Sequence, residues 1–270
     1  MFCSKCHKAW ITAVALFGAP NLHATPIEQY IPGQLHLLSG VGQASALFVR
    51  GNEICLLQNG GGKLLCRADL TDPSTTIISL GNQNGCGDIE GGWAYGEFDL
   101  YADEGTPARI YFMAHGGRKC SRAVRTITLN GMDEWKQSFG IEGVSSLPDG
   151  RVVVVKEAAP VRVAAFTLVD NVDNYTPTDL FPVNNCSRLG DVTVKSDGNI
   201  LLICKSDKKI QEYDIGGRLL SELLIPQFNQ PEGIAELPSG DIGVLGEPNQ
   251  YQIFKGDQPL PPKLNSSDGH

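Results

Sequence analysis

Short apolar runs rich in Val, Ile and Leu alternate with polar turns along most of the chain. Val152-Val153-Val154-Val155, Ile200-Leu201-Leu202-Ile203 and Ile242-Gly243-Val244-Leu245 follow Pro148-Asp149-Gly150, Ser196-Asp197-Gly198 and Pro238-Ser239-Gly240. Brief β-branched runs bounded by Gly, Pro and Asp read as strands joined by tight hairpins. Gly and Pro interrupt most windows that would carry a 3.6-residue period. The pattern predicts an all-β chain.

Five segments repeat one plan, a short strand, a polar turn, a second strand, a polar break and a third strand. They begin near Gln43, Gly87, Gly140, Leu189 and Gln230. The shared position moves by 41 to 52 residues from one repeat to the next, a spacing that suits the four-stranded blades of a β-propeller. After the fifth repeat only Tyr251-Gln252-Ile253-Phe254 reads as a strand, whereas Gln34-Leu35-His36-Leu37-Leu38 has no blade of its own. That segment is expected to supply the outer strand of the last blade and hide its edge. The expectation is a single five-bladed β-propeller over 25–257, with a disordered Pro-rich tail over 258–270.

The first 24 residues read as a leader. Lys5 and Lys8 precede the apolar run Ala9–Phe17, and Ala24 offers a small residue for cleavage. The run is too short to span a membrane, so export to the periplasm or beyond is expected, without insertion. Cys3-Ser4-Lys5-Cys6-His7 matches a haem-attachment pattern but lies ahead of that run and would be cut away.

Loss of the leader takes the formal charge from −8 to −10. An acidic surface repels phosphate backbones and anionic lipid, which argues against nucleic acid and membrane as partners and favours cations. Six cysteines remain, Cys55, Cys66, Cys86, Cys120, Cys186 and Cys204, an even set for an oxidising compartment. Cys55 and Cys66 flank the turn signal Asn59-Gly60-Gly61-Gly62 symmetrically and are expected to bridge neighbouring strands. For the other four, pairing within a repeat would give Cys86–Cys120 and Cys186–Cys204, although spacing alone does not select one connectivity.

Aligning the repeats produces two acidic columns. The upstream column, near the start of each innermost strand, reads Ser45, Glu90, Glu142, Asp191 and Glu232. The downstream column, 14 or 15 residues later, reads Asn59, Glu104, Glu157, Ser206 and Glu247. Strand–turn–strand geometry brings both to one mouth of the central channel. Two carboxylates ~8 Å apart repel by roughly 2 kcal/mol at an effective dielectric near 20. A ring of four therefore puts on the order of 10 kcal/mol at stake, as much as the stability of a domain. Lys156 and Lys205 adjoin the downstream column, so strand alternation is expected to point them away. A hard, oxygen-ligated cation such as calcium answers the charge better, and zinc is disfavoured because His36, His115 and His270 are not grouped. The expected ligands are Glu90, Glu142, Asp191 and Glu232, then Glu247 and Glu157, with Asp88 a further contributor. The alternative is structural, with the acids accepting backbone N–H groups of neighbouring blades.

Gly87-Asp88-Ile89-Glu90-Gly91, Ile141-Glu142-Gly143 with Val155-Lys156-Glu157, and Pro231-Glu232-Gly233-Ile234-Ala235 with Gly246-Glu247-Pro248-Asn249 resemble the SdiA-regulated family of exported bacterial proteins. The resemblance covers most of 40–255. It implies a five-bladed propeller, a calcium site and a distant relation to NHL-repeat proteins, without an activity. The cysteines and Ser206 depart from the family's pattern.

Function is read first as a monomeric, non-enzymatic binding or scaffold module for a protein, glycan or small molecule. The rival readings are a metal-dependent hydrolase of lactonase or phosphoesterase type and a glycosidase working through paired acids. No G-x-S-x-G motif is present, and no histidine adjoins an aligned acid.

Overall fold

A computed structural model of the protein describes residues 25–59, 63–72, 78–79, 86–115, 117, 119–132, 139–158 and 160–256. The predicted leader and the tail from 258 lie outside the described residues, as do Gly60, Gly61 and Gly62. No helix of the described residues is long and apolar enough to cross a membrane.

The described chain opens with a short turn of 3-10 helix, Ile27–Gln29, and strand β1 (Ile31–Leu37). The first blade comprises β2 (Ala44–Arg50), β3 (Glu53–Gln58), β4 (Lys63–Arg67) and β5 (Ile78–Ser79). The second comprises β6 (Ile89–Tyr95), β7 (Phe98–Asp103), β8 (Arg109–Ala114) and β9 (Arg125–Leu129). The third holds β10 (Ile141–Ser146), β11 (Val152–Lys156) and β12 (Arg162–Phe166). The chain then crosses back as β13 (Asn174–Tyr175), which pairs in parallel with β9, before β14 (Thr178–Phe181) completes the third blade. The fourth comprises β15 (Leu189–Val194), β16 (Ile200–Cys204), β17 (Lys209–Tyr213) and β18 (Leu219–Leu224). In the fifth, β19 (Gln230–Glu236), β20 (Ile242–Glu247) and β21 (Gln250–Lys255) are joined by β1 at the outer edge. The protein is a five-bladed β-propeller. As the sequence predicts, the N-terminal strand closes the last blade, in antiparallel register from Ile31↔Lys255 to Leu37↔Gln250.

The strand sequences follow from this packing. β11 and β16 are buried at every residue, because a central strand meets another blade on each face and therefore reads as a continuous apolar run. Outer strand β18 alternates more and leaves Leu224 exposed. The core lies between blades as five apolar clusters, one at each blade interface. The hairpin turns of blades three, four and five share one design, with Gly150, Gly198 and Gly240 at positive φ of 86°, 90° and 83°, a region only glycine occupies freely.

All three cysteine pairs lie at bonding distance, Cys55–Cys66, Cys86–Cys120 and Cys186–Cys204. The first joins directly opposed residues of β3 and β4.

Candidate metal centre

Each inner strand carries a β-bulge near its start, and the bulges set the site. In blades one, two, three and five the extra residue is Ser45, Glu90, Glu142 and Glu232, each unpaired between two register partners on the next strand. A bulge re-aims the side chain it carries. The residue after the bulge lies against the inner strand of the following blade. A Cβ on Gly143 would meet Asp191 Oδ1 at 2.5 Å and the Val192 nitrogen at 2.8 Å. The recurring Glu-Gly pair is thus a bulge followed by a close approach of two strands.

Blade four breaks the pattern. Its bulge falls on Gly190, with Leu189 opposite Cys204 and Asp191 opposite Ile203. Asp191 therefore occupies the place of Gly91, Gly143 and Gly233, one residue beyond the expected column. It is buried, and its Oδ2 accepts the Ile234 N–H at 3.0 Å while Oδ1 accepts its own Val192 N–H at 2.8 Å. The nearby Leu47 backbone N–H also favours its ionised form. Burial pushes this carboxyl well above the usual range against the pull of those donors. Asp191 is used as the structural alternative describes, tying the fourth blade to the fifth.

The same offset corrects the downstream column. Asn59, Glu104 and Glu157 donate their N–H groups to Gln43, Asp88 and Gly140, and the equivalent residue in blade four is Lys205, which donates to Arg188. Ser206 is one residue too far, so Lys205 belongs to the ring and does not face away from it. Its Nζ lies 2.5 Å from Glu157 Oε1, 3.2 Å from Glu142 Oε2 and 3.2 Å from Glu232 Oε2. Burial disfavours the ammonium, but Glu142, Glu232 and Glu157 outweigh it and hold Lys205 above the ordinary lysine value. Arg188 also pairs with Glu157. Glu232 accepts from Gln230 as well, while half-buried Glu247 stands opposite Gln230 in the ladder.

The remaining acids converge on blade two. Carboxylate oxygens of Asp88, Glu90 and Glu104 lie within 4.8 Å of one another. Two oxygens on one calcium ion stand no more than about 5 Å apart, so this donor set fits the ion. Glu90 is buried and accepts from the Asn59 side-chain amide across the blade interface. Burial raises its carboxyl well above the usual range, and Asp88, Glu104 and Glu232 add to that. Glu104 Oε2 accepts the Gly140 N–H at 3.2 Å. Asp88 is exposed at the rim.

Behind the cluster lies Asp103, buried at the end of β7. Its Oδ1 accepts the N–H groups of Asp88 and Gly105, both at 3.1 Å, and its Oδ2 accepts the Tyr111 hydroxyl at 2.9 Å. Burial and Asp103 push the Tyr111 phenol up to about 12, so it remains a donor. Gly87 is required here, since a Cβ would fall 2.5 Å from Asp103 Oδ1.

Of the expected ligands, Glu90 and the further contributor Asp88 join this cluster, whereas Glu142, Glu157 and Glu232 gather around Lys205. Glu104 was visible in the downstream column, yet only the bulge geometry shows that it meets Glu90.

An acid-lined propeller channel defines the class of molecule. No family model matches the chain, and no curated protein matches it. Among solved structures, the calcium-binding protein regucalcin from Agrobacterium tumefaciens superimposes with a TM-score of 0.52 at 11% identity, covering 84% of this chain and 96% of that one. A gluconolactonase from Xanthomonas campestris does so with a TM-score of 0.51 at 12% identity, covering 86% and 96%. Glutaminyl cyclase from Myxococcus xanthus gives 0.54 at 14% identity, covering 83% and 95%. These likenesses establish the shared propeller fold.

Proposed function

We propose that the protein is an exported β-propeller that holds a calcium ion at one mouth of its channel and acts there, as a monomer, as a binding or scaffold module for a protein, glycan or small molecule. The convergence of Asp88, Glu90 and Glu104 carries this reading. An all-oxygen donor set suits a hard cation, and regucalcin, described as calcium-binding, shares the fold. The resemblance to the SdiA-regulated family points the same way. Export is supported by the leader-like segment and by three cysteine pairs at bonding distance, a state that persists in oxidising compartments.

A binding role is favoured over chemistry because much of the ring is already engaged. Glu142, Glu157 and Glu232 hold Lys205, and Asp191 holds backbone N–H groups. Of the described histidines, His115 is bonded to Asp99 and His36 lies on outer strand β1.

Calorimetric titration of chelator-treated protein with calcium tests the proposal. Binding should be saturable and weakened at least tenfold by Glu90→Gln, about 1.4 kcal/mol; absence of binding overturns it. The second reading, a metal-dependent hydrolase of lactonase or phosphoesterase type, is favoured by the gluconolactonase fold likeness, with a bound cation polarising the scissile group. Calcium-dependent turnover of a lactone or phosphoester panel, lost in Glu90→Gln, would select it.

A further inference from the structure

Lys205 Nζ stands where carboxylates from blades three and five converge, with Glu157 at 2.5 Å and Glu142 and Glu232 at 3.2 Å. An ammonium has three N–H donors, and here three carboxylates receive them. Three oxygens converging from different strands on one buried cation is the arrangement of a metal site with an amine in the metal's place. Calcium–oxygen distances of about 2.3–2.6 Å would require only a small contraction.

Blade four is built to admit this amine. Where three other blades carry a bulged glutamate it has Gly190, and a Cβ there would already stand 3.2 Å from Glu232 Oε2 and 3.0 Å from the Pro231 carbonyl oxygen. Lys205 enters from the matching position on the next strand. One acid is absent and one cation is supplied within a single blade, so the charge of this half of the mouth is reduced without any dissolved ion.

We propose that Lys205 is a tethered cation occupying a second, latent divalent-cation site formed by Glu142, Glu157 and Glu232, and that it sets how many ions the mouth accepts. A tethered amine is present at every calcium concentration, so a divalent ion gains this position only by displacing it. In the wild type one calcium is held beside blade two and none between blades three and five. The ion at blade two rests on the function proposed above; the latent site does not.

The test compares the number of calcium ions bound per chain in the wild type, Lys205→Met, Lys205→Arg and Lys205→Met with Glu142→Gln, each refolded in saturating calcium and checked by circular dichroism. Lys205→Met should bind one ion more than wild type and show a larger calcium-dependent rise in Tm. Lys205→Arg should keep the wild-type number, and the added Glu142→Gln should remove the gain. Lys205→Met that folds with no extra ion, or that fails to fold even in saturating calcium, overturns the inference. A wild type that binds no calcium while Lys205→Met binds one would instead overturn the blade-two reading alone.

Discussion

Asp191 on the inner strand of blade four accepts the backbone N–H of Ile234 on the inner strand of blade five at 3.0 Å. A propeller has no central layer, so the free edges of its inner strands face a channel and their N–H groups need partners. Asp191 supplies one at a place where the other blades carry a small residue.

Asp191→Ala is therefore expected to destabilise the fold by about 3 kcal/mol, since a buried donor left unmatched costs roughly 1–3 kcal/mol and at least two are exposed to that loss. Urea denaturation measures it. A change under about 0.5 kcal/mol would mean that water replaces the carboxylate at no cost.

Asp103 is expected to control cation affinity without touching the ion. It fixes the Asp88 and Gly105 backbones on either side of the proposed ligands. Asp103→Asn turns one acceptor into a donor at that junction, and loss of such a supporting partner typically lowers metal affinity about 10–100-fold. Calcium titration should show that loss while circular dichroism at saturating calcium stays at wild type. Unchanged affinity would show that the blade-two carboxylates hold their positions unaided.

The blade count, the closing strand and the Cys55–Cys66 pair are legible in the sequence because each depends on spacing, whereas the other two cysteine pairs emerge only from the fold. Runs of about one blade length, an orphan strand at each end and cysteines placed about a turn survive an error of one residue. The division of the acids does not. Gly190 to Lys205 spans the same 15 residues as Glu142 to Glu157, but aligning on residue type drew the column to Asp191 and Ser206. A bulge adds one residue and reverses the parity from which side-chain direction is read, so strand alternation alone points Lys205 to the wrong face. The meeting of Glu104 with Glu90 was hidden for a related reason, since it depends on where adjacent strands emerge at the channel mouth.

The N-terminal segment should loosen in acid. Glu212 Oε2 accepts the Ile27 N–H at 2.7 Å and the Ser221 hydroxyl at 3.0 Å, and its Oε1 lies 3.0 Å from Lys195 Nζ, which also donates to the Thr25 carbonyl. Burial tends to raise this carboxyl, but the Ile27 N–H, Lys195 and Asn199 hold it below the ordinary value. A depressed folded value means the stabilisation is present above the unfolded value, about 4.3, and is lost as pH falls through the folded value. Protection against hydrogen exchange, relative to the intrinsic rate at each pH, should fall at Ile27 and along β1 below about pH 4, ahead of the strands of blade three. Glu212→Gln should bring that loss of protection to neutral pH. Equal protection of β1 and β11 throughout the acid range would contradict this role of Glu212.

The central claim is a cation held by Asp88, Glu90 and Glu104, and the most direct measurement is a crystal structure grown with calcium, with the ion located by its anomalous scattering. The predicted result is one peak on blade two with oxygens of all three residues about 2.3–2.6 Å away, and Lys205 still between Glu142, Glu157 and Glu232. A mouth with no anomalous peak at saturating calcium, or a peak elsewhere with these three side chains unliganded, would contradict it.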